Sequence, residues 1–395
     1  MMGLGYIGLP TAALIAKNKI NVLGIDVQQK VVDTINKGKI HIVEPDLDGL
    51  VKKVVDDGTL RASTKVEQAD AFLIAVPTPF KGNHIPDISY VESATNNIIP
   101  HLKKGDLFII ESTSPVGTTE KMTNVIYTQR PELKDKIYIS YCPERVLPGN
   151  VIYELENNDR VIGGINEAST QKAIQFYRNF VKGDLHPSNA RTAEMVKLTE
   201  NASRDVQIAF ANELSLISKK ANINVWDLIK LANRHPRVNI LQPGTGVGGH
   251  CIAVDPWFIV ADFEKEARII KTAREINNYK TEWVIERIKN EVLQFKLKHN
   301  KNPKVACLGL AFKPNIDDLR ESPAKYVAQS LKLEKEMELL VAEPNIENSD
   351  EFEIIDSKKA IDNADIVAFL VGHKEYKTIQ VTTDKIELDF CGVRQ

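Results

Sequence analysis

The chain has 395 residues, more than one ordinary domain needs, so two or three domains are expected. Hydrophobic residues make up 43% of it and charged residues 26%, which is typical of a globular protein and excludes a disordered or fibrous chain. The net charge of -2 argues against a general nucleic-acid binder, because such a protein needs a basic surplus to hold phosphates.

The four cysteines lie far apart and form no C-x-x-C pair, so neither a disulfide framework nor a structural zinc site is expected. No apolar run reaches the ~20 residues that span a bilayer. No basic stretch followed by an apolar one marks a signal peptide. We therefore expect a cytoplasmic protein without a metal, and one that binds neither nucleic acid nor membrane.

The N-terminal region alternates short apolar runs with helical stretches, which predicts a parallel sheet covered by helices on both faces. The predicted strands are Asn21–Asp26, Ala71–Val76, Leu107–Glu111, Ile137–Tyr141 and Arg160–Gly163. A dinucleotide-binding domain should begin with a strand, yet Met1 and Met2 stand directly before a glycine-rich segment. We expect the first strand to be missing or shortened. The chain should then be less stable, or bind cofactor more weakly, than a version with that strand.

A helical middle follows this sheet. Thr192–Ala221 contains neither Gly nor Pro, and its apolar residues recur at three- and four-residue steps. A second helical run covers Ala267–Lys298. Strands are then predicted at Lys304–Gly309, Glu338–Ala342, Ala364–Val371 and Lys385–Phe390. The predicted class is α/β, with two Rossmann-like parallel-sheet domains (residues 1–190 and 301–395) joined by a long central helix and helical domain (residues 191–300).

The segment Gly3-Leu4-Gly5-Tyr6-Ile7-Gly8 matches G-x-G-x-x-G. In that motif the first glycine allows a tight turn, the second lets backbone approach a pyrophosphate, and the third lets helix pack on strand. Alone the motif is a weak signal. Asp26 follows Gly8 by 18 residues, where a carboxylate accepts hydrogen bonds from the adenosine ribose. An acid there without a following arginine favours NAD over NADP; the alternative is an aspartate that only ends a strand.

Three polar segments each come directly after a predicted strand: Pro77-Thr78-Pro79, Ser112-Thr113-Ser114-Pro115 and Pro143-Glu144-Arg145. Ligands of open parallel sheets bind at the carboxyl ends of the strands. We therefore expect Thr78, Thr113 and Glu144 at the same edge as the glycine loop. For any one segment, a simple turn is an equally good interpretation.

A run of glycines precedes Cys251. Four of them within Gly244–Gly249 give backbone that can pass close to a ligand. Asp255-Pro256 has the pattern of a helix N-cap and first turn, so Cys251 lies just before a helix N-terminus, whose dipole favours a thiolate. The other three cysteines fit the usual role of small apolar filler, whereas the glycines favour a nucleophile at Cys251.

On the long predicted helix, Lys197, Asn201 and Arg204 are spaced at i, i+4 and i+7, which places them on one face. That face could be a solvated stripe or the wall of a site for a phosphorylated ligand. The spacing alone does not decide between these two interpretations.

Seven strings along the whole chain carry a family resemblance: GLGYIGLP, VPTPF, ESTSPVGTTE, YCPERVLPG, EMVKLTEN, GVGGHC and GLAFKPNIDDLRESP. In this order they resemble the UDP-glucose/UDP-mannosamine-type nucleotide-sugar 6-dehydrogenases. VEPDL, PERVLPG and the segment around NRHPRVNILQPGTGVGGHCIAVDPWFIV are most similar to the branch that uses UDP-N-acetyl-D-mannosamine. Nothing in the chemistry of these residues identifies the 2-acetamido group.

The resemblance implies two successive oxidations of a sugar C6 alcohol to a carboxylate, with two NAD. Lys197 would assist proton transfer and stabilise oxyanions, with Asn201 beside it. Cys251 would trap the aldehyde as a thiohemiacetal; a second hydride transfer would leave a thioester, which water hydrolyses. The implied cofactor contacts are Gly3, Gly5, Tyr6, Ile7, Gly8, Asp26, Thr78 and Thr119.

The resemblance also assigns the hydrolytic step. Asp255 and Thr113 match positions that orient water in relatives, and Glu144 matches a carboxylate implicated in thioester hydrolysis. The UDP-glucose enzymes carry a second glutamate four residues further on, where this chain has Pro148. A proton-relay role of that glutamate cannot be transferred.

The implied substrate contacts are Arg145, Val146, Lys197, Asn201, Arg204, His235, Arg237, Gly248, Lys313 and Arg320. The His235–Arg237 segment would reach across a homodimer formed by the central helix. Lys313 and Arg320 suit a pyrophosphate, although ordinary surface charge is the alternative. Gly309-Leu310-Ala311 lacks the full dinucleotide fingerprint, so the C-terminal domain should hold UDP and not a second NAD.

Three alternatives remain at this stage. The same chemistry could act on UDP-glucose or UDP-N-acetylglucosamine. A single-oxidation β-hydroxyacid dehydrogenase shares the Rossmann domain and a Lys/Asn pair, but has no use for Cys251 or a third domain. The chain could also be a non-catalytic nucleotide-binding protein.

Overall fold

The computed structural model describes residues 1–42, 44–146, 149–249 and 251–395, and it forms two compact units, Met1–Glu200 and Asn201–Gln395. The strands are β1 Val22–Ile25, β2 Leu60–Ser63, β3 Ala71–Ile74, β4 Phe80–Lys81, β5 Ile85–Pro86, β6 Leu107–Ile110, β7 Tyr138–Tyr141, β8 Arg160–Gly164, β9 Leu185–Asn189, β10 Lys304–Leu308, β11 Glu338–Ala342, β12 Ile366–Phe369 and β13 Ile386–Asp389. The α-helices are α1 Gly8–Lys17, α2 Gln29–Asn36, α3 Leu47–Asp56, α4 Ser89–Ile98, α5 Thr118–Gln129, α6 Val151–Asn157, α7 Glu167–Tyr177, α8 Ala190–Ala221, α9 Val225–Ala232, α10 Asp255–Asp262, α11 Arg268–His299, α12 Pro323–Lys332 and α13 Ser357–Asn363.

The first unit is built on a sheet of order β3-β6-β7-β8-β9, in which only the β7–β8 pair is antiparallel. The pair β1-β2 is parallel and lies on the other side of Met2. Met2 forms parallel bridges with both Ile25 and Ile74, and its carbonyl accepts a hydrogen bond from Ala75 N at 2.8 Å. Single bridges at Met2 thus occupy the place of the expected first strand; the expected loss of stability or cofactor affinity stays a prediction.

Burial explains which strands of this unit the sequence predicts. Every side chain of β6 is buried, so a continuous apolar run marks it. In β2 exposed Arg61 stands between two buried residues, and β9 carries three exposed positions. Neither segment has the uninterrupted apolar pattern, and both were missed.

The second unit contains a parallel sheet of order β11-β10-β12-β13. Its core combines β10 and β12 with the apolar stripe Val284, Ile288 and Val292 of α11. Those three residues recur every four positions, which directs them to one face of the helix. The strand order and parallel pairing are those of a Rossmann-like domain.

The predicted fold class is confirmed: the chain is α/β, with two parallel Rossmann-like sheets and long central helices. Helices α8 and α11 each contain 32 residues, and the predicted bounds fall within two residues of theirs. The division at residues 190 and 300 stays a prediction. Among the described helices, none is long and apolar enough to cross a membrane.

Candidate active site

The glycine loop between Met2 and α1 has one position that faces open space. A Cβ on Gly3, whose φ is 85°, would lie 2.5 Å from Ala75 O, and one on Gly8 would lie 1.9 Å from Gly3 O. A Cβ on Gly5 would meet no atom within 4 Å. The first and third glycines are therefore required by the fold itself, whereas Gly5 leaves room where backbone can approach a pyrophosphate.

Asp26 follows β1 and holds this loop. Its Oδ2 accepts a hydrogen bond from Leu4 N at 3.2 Å, and its Oδ1 accepts one from Gln28 N at 2.9 Å. A carboxylate has about four acceptor positions, so two remain for ribose hydroxyls. The next residue, Val27, is 91% exposed and leaves the adjoining surface open for an adenine.

The ends of β3 and β6 are connected by a serine that the sequence analysis did not single out. Ser112 Oγ accepts a hydrogen bond from Val76 N at 2.9 Å and lies 2.8 Å from Val76 O. This bridge connects the segments that carry Thr78 and Thr113, both of which are half-buried. The structure therefore places these two predicted residues at one sheet edge, as expected.

A buried glutamate at the start of α8 caps α5. Glu194 accepts hydrogen bonds from Gly117 N at 2.6 Å, from Thr119 N at 2.8 Å and from Thr119 Oγ1 at 2.7 Å. Burial raises the pKa of Glu194, and these donors oppose the shift. The hydroxyl of Thr119 is thus already engaged, so its predicted cofactor contact stays a prediction. Lys197, half-buried, follows Glu194 by one helical turn.

The segment that follows β7 is fixed by two ion pairs. Glu144 is buried, and its Oε2 lies 3.0 Å from Arg160 Nη1. Arg145 forms two hydrogen bonds with Glu200 of α8, of which the Nη2–Oε1 contact is 2.6 Å. Val146 packs against an apolar core cluster, so its side chain supports the segment. Pro148, which replaces the second glutamate of the UDP-glucose enzymes, lies outside the described residues.

In the second unit, Cys251 stands one turn ahead of α10. Its carbonyl accepts a hydrogen bond from Asp255 N at 2.8 Å, and the residue is exposed. Asp255 itself is 4% exposed, and its Oδ2 accepts a 2.6 Å hydrogen bond from Asn201 Nδ2. The helix begins at Asp255 with Val254 as its N-cap, one residue before the predicted cap. Three residues predicted as catalytic are therefore connected to one another.

The glycines before Cys251 are packed closely against other parts of the protein, and the predicted ligand contact of Gly248 stays a prediction. A Cβ on Gly248 would lie 2.3 Å from Glu321 O, one on Gly249 2.8 Å from the ring of Phe312, and one on Gly246 2.3 Å from Thr281 Oγ1. Protein atoms, and not open space, crowd these three positions. Gly249 N also donates a hydrogen bond to Arg320 O at 3.2 Å.

The predicted substrate residues of the helical middle are exposed. Arg204 lies on the surface of α8, and His235 and Arg237 lie in the loop that follows α9. Asn233 fixes the base of that loop, because its side chain accepts from Ile240 N at 2.7 Å and donates to Ile240 O at 3.0 Å. The role of Arg204, His235 and Arg237 as substrate contacts stays a prediction.

The glycine turn of the second sheet is occupied by the protein's own carboxylate. Gly309 has φ 97°, and the next two backbone N–H groups, of Leu310 and Ala311, donate to Glu343 Oε2 at 2.7 and 3.0 Å. His373 Nε2 lies 3.1 Å from the same oxygen. Burial opposes ionisation, yet the hydrogen bonds from His373 and Leu310 lower the pKa of Glu343 to about 2.

Lys313 and Arg320 follow this turn. Lys313 is half-buried, with its Nζ 5.8 Å from the centroid of the Phe312 ring. Arg320 is exposed and forms an ion pair with Asp318 at 2.6 Å. Both cations lie after β10 on the loop that also contacts Gly249, where a pyrophosphate could reach them. Within the described ranges, no group of three or more His, Cys, Asp or Glu side chains could hold a metal ion.

A dinucleotide loop on one parallel sheet, a second parallel sheet whose glycine turn is filled, and an exposed cysteine before a helix together define an NAD-dependent dehydrogenase with two Rossmann-like domains. The chain matches three models of the UDP-glucose/GDP-mannose dehydrogenase family: the NAD binding domain at residues 1–181, the central domain at 191–279 and the UDP binding domain at 306–392. It belongs to that family, and its cofactor is NAD.

Individual relatives are similar over nearly their full length. The chain is 56% identical to UDP-N-acetyl-D-mannosamine dehydrogenase of Campylobacter jejuni, over 99% of this chain and 98% of that one. It is 52% identical to NDP-N-acetyl-D-galactosaminuronic acid dehydrogenase of Ralstonia nicotianae, over 98% and 93%. The solved structure of UDP-D-ManNAc dehydrogenase from Pyrococcus horikoshii is 35% identical, with a TM-score of 0.90 over 100% of this chain and 95% of that one.

Proposed function

We propose that this enzyme oxidises the C6 hydroxyl of UDP-N-acetyl-D-mannosamine to the carboxylate and reduces two NAD for each sugar. The observation that carries the mechanism is the exposed Cys251 placed one turn before the buried Asp255, which Asn201 holds. The sugar is proposed from similarity to the Campylobacter jejuni relative. NAD, when bound, accepts a hydride from C6 at each oxidation.

The protein's residues handle protons and the covalent intermediate. Lys197 assists loss of the C6 hydroxyl proton, and Asn201 orients the oxygen, so the first oxidation leaves an aldehyde. The Cys251 thiolate then adds to C6 and forms a thiohemiacetal, which keeps the aldehyde from escaping. Loss of a second hydride converts this adduct to a thioester on the same sulfur.

Hydrolysis completes the reaction. Water adds to the thioester carbonyl, the C–S bond breaks, and Cys251 leaves as a thiolate. We assign Glu144 to accept the proton of that water, with Asp255 and Thr113 as the groups that orient it. Both oxygens of Glu144 accept hydrogen bonds from N–H donors, which fixes the orientation of the carboxylate.

The stoichiometry of NADH tests the proposal directly. We expect two NADH per UDP-N-acetyl-D-mannosamine and a product heavier by the exchange of two hydrogens for one oxygen, measured by absorbance and mass spectrometry. Cys251→Ser should lose the second oxidation, whereas the matched variant Cys391→Ser, of a half-buried cysteine, should keep it. One NADH per sugar with a fully active Cys251→Ser enzyme would point to a single-oxidation dehydrogenase.

A substrate panel decides the sugar. The Ralstonia relative carries a name for an N-acetylgalactosaminuronic product, so the galacto-configured N-acetyl sugar belongs beside UDP-glucose and UDP-N-acetylglucosamine. We expect the highest kcat/KM with UDP-N-acetyl-D-mannosamine. Tight UDP-sugar binding without turnover of any member would favour a non-catalytic nucleotide-binding protein.

The assembly is proposed to be a homodimer in the cytoplasm, supplying a uronate for surface polysaccharides such as capsule, O-antigen or enterobacterial common antigen. Phe210 and Ile217 support a dimer, because they are 51% and 57% exposed and lie seven residues apart on one face of α8. Light scattering should give twice the chain mass. Phe210→Glu should reduce it to the monomer value, whereas Lys219→Glu near the end of the same helix should not.

A further inference from the structure

A buried charge cluster lies behind Glu144 in the first unit. Arg160, 3% exposed, contacts Glu144 Oε2 at 3.0 Å and donates a second hydrogen bond to Leu155 O at 3.1 Å. Its guanidinium lies 5.1 Å from the centroid of the Tyr177 ring. The Tyr177 hydroxyl donates a 2.6 Å hydrogen bond to a second buried carboxyl group, Glu111 Oε1.

Arg160 therefore lies near two buried carboxyl groups, those of Glu144 and Glu111. Burial raises the pKa of Glu111 to about 7, with the nearby Arg160 opposing the shift and Glu144 adding to it. Tyr177 binds Glu111 Oε1, whereas the guanidinium of Arg160 donates to Glu144 and to Leu155 O. The remaining titratable groups that face Glu111 are the Cys142 thiol, whose pKa burial raises to about 12, and the amino group of Met1.

A buried charge cluster of this kind contributes little to the free energy of unfolding. Well-packed apolar side chains of similar volume usually stabilise a core as well as a buried ion pair does, or better. In the described part of the chain, Glu111 Oε2 and Arg160 Nε also lack hydrogen-bond partners. A buried, incompletely satisfied network is costly and is more easily explained by a role at the neighbouring site.

We propose that Arg160 is the positioning residue that keeps the Glu144 carboxylate aimed at the hydrolytic water, and that Tyr177 assists by binding Glu111. The proposal rests on the proposed thioester mechanism. Glu144 Oε1 accepts from Arg145 N at 2.7 Å while Oε2 faces Arg160, so both carboxylate oxygens are fixed. Arg160 acts through Glu144 and touches neither substrate nor cofactor in this scheme.

The consequence is confined to the last chemical step. As the C–O bond forms, a proton passes from the water to Glu144; the C–S bond then breaks and the electron pair stays on the sulfur of Cys251. Without the Arg160 guanidinium the Glu144 carboxylate loses one of its two N–H donors and is no longer held towards the water, so hydrolysis slows. The two hydride transfers do not need this base.

Rapid-mixing kinetics of Arg160→Gln test the proposal. We expect a burst of two NADH per active site, followed by turnover ~10- to 100-fold slower than in the wild type, a loss within the range of general-base effects. Mass spectrometry of the quenched enzyme should show the sugar acyl adduct on Cys251. The KM for the UDP-sugar should stay within about twofold of the wild-type value.

Further variants distinguish a positioning role of Arg160 from a general loss of structure. Arg160→Lys keeps a cation that can donate to Glu144 and should recover part of the rate, and Tyr177→Phe should show a smaller loss of kcat with the same adduct. Arg178→Gln changes an exposed neighbour of Tyr177 and should behave as the wild type. If Arg160→Gln does not fold, Tyr177→Phe still decides through its kcat and its adduct.

Two results would overturn the inference: wild-type kcat in a folded Arg160→Gln enzyme, or loss of the NADH burst itself in both the Arg160→Gln and the Tyr177→Phe enzymes. Failure of the proposed function appears differently, because the wild type would then release one NADH per sugar and never carry an acyl group on Cys251.

Discussion

The glycines of the dinucleotide loop differ in the atoms that a methyl group in their place would contact. Gly5→Ala should leave the fold undisturbed, because its Cβ meets no atom within 4 Å, yet the methyl group would fill the space that we predict for the pyrophosphate. We expect NAD affinity to fall ~10-fold or more with little change in thermal melting, measured by titration calorimetry and calorimetric scanning.

Gly8→Ala is the matched control for this prediction. Its Cβ would lie 1.9 Å from Gly3 O, so the backbone must shift and thermal stability should fall. Unchanged NAD affinity in Gly5→Ala would show that the pyrophosphate does not pass over this position.

A buried lysine predicts how stability depends on pH. Lys280 is 3% exposed; its Nζ lies 2.8 Å from Ser215 Oγ and 4.2 Å from the Trp283 ring centroid. Burial lowers the pKa of Lys280 to about 7. The unfolded chain, with an ordinary lysine pKa, therefore binds more protons between about pH 7 and 10, and stability should rise with pH across that window.

Lys280→Met removes this dependence. We expect the variant to be more stable than the wild type at pH 7, by on the order of 4 kcal/mol, with the gap closing towards pH 10. Urea unfolding at several pH values measures it. Lys298→Met, at an exposed position of the same helix, should show no pH-dependent gap. A constant gap for Lys280→Met would rule out titration of this amine.

At the scale of elements, the loop before Cys251 is shaped by the loop after β10. Gly248→Ala would place its Cβ 2.3 Å from Glu321 O, whereas at Gly244 the nearest atom is 3.8 Å away. We expect Gly248→Ala to displace Cys251 and to lower kcat ~10-fold or more, since misplacing a reacting group is costly. Gly244→Ala should retain activity. Equal kcat values for the two variants in steady-state assays would contradict this packing argument.

The sequence predicted best those elements in which one pattern, a continuous apolar run or a helical periodicity, extends over the whole length. The bounds of β11 were predicted as observed, and α8 and α11 within two residues, because continuous apolar runs and helical periodicity extend over their whole lengths. Segments β2 and β9 mix buried and exposed positions, so local pattern could not distinguish them from loops.

The candidate site divides in a similar way. Gly5, Asp26 and Cys251 could be predicted as site residues because local motifs carry their chemistry, and their roles stay predictions. Glu194 and Arg160 were not predicted, since their hydrogen-bond partners, Thr119 and Glu144, belong to other segments of the chain. The sequence also does not show that protein atoms crowd the glycines ahead of Cys251, and the predicted substrate contact of Gly248 stays a prediction.

For the whole molecule, the two glycine turns predict how many nucleotides bind. Gly5 faces open space in the first sheet, whereas Glu343 fills the turn after Gly309 in the second. We expect titration calorimetry to give one NAD per chain and a separate UDP site, with neither ligand displacing the other. Two equivalent NAD sites, or competition between NAD and UDP, would contradict the assignment.

The two hydrogen bonds that Asp26 accepts bear on any attempt to re-engineer this enzyme for a phosphorylated coenzyme. The carboxylate that would be removed to admit a 2′-phosphate accepts from Leu4 N and Gln28 N. Substituting it alone would loosen the glycine turn that we predict to contact the pyrophosphate. A successful redesign must supply a new acceptor for those two amides together with the arginine that attracts the extra phosphate.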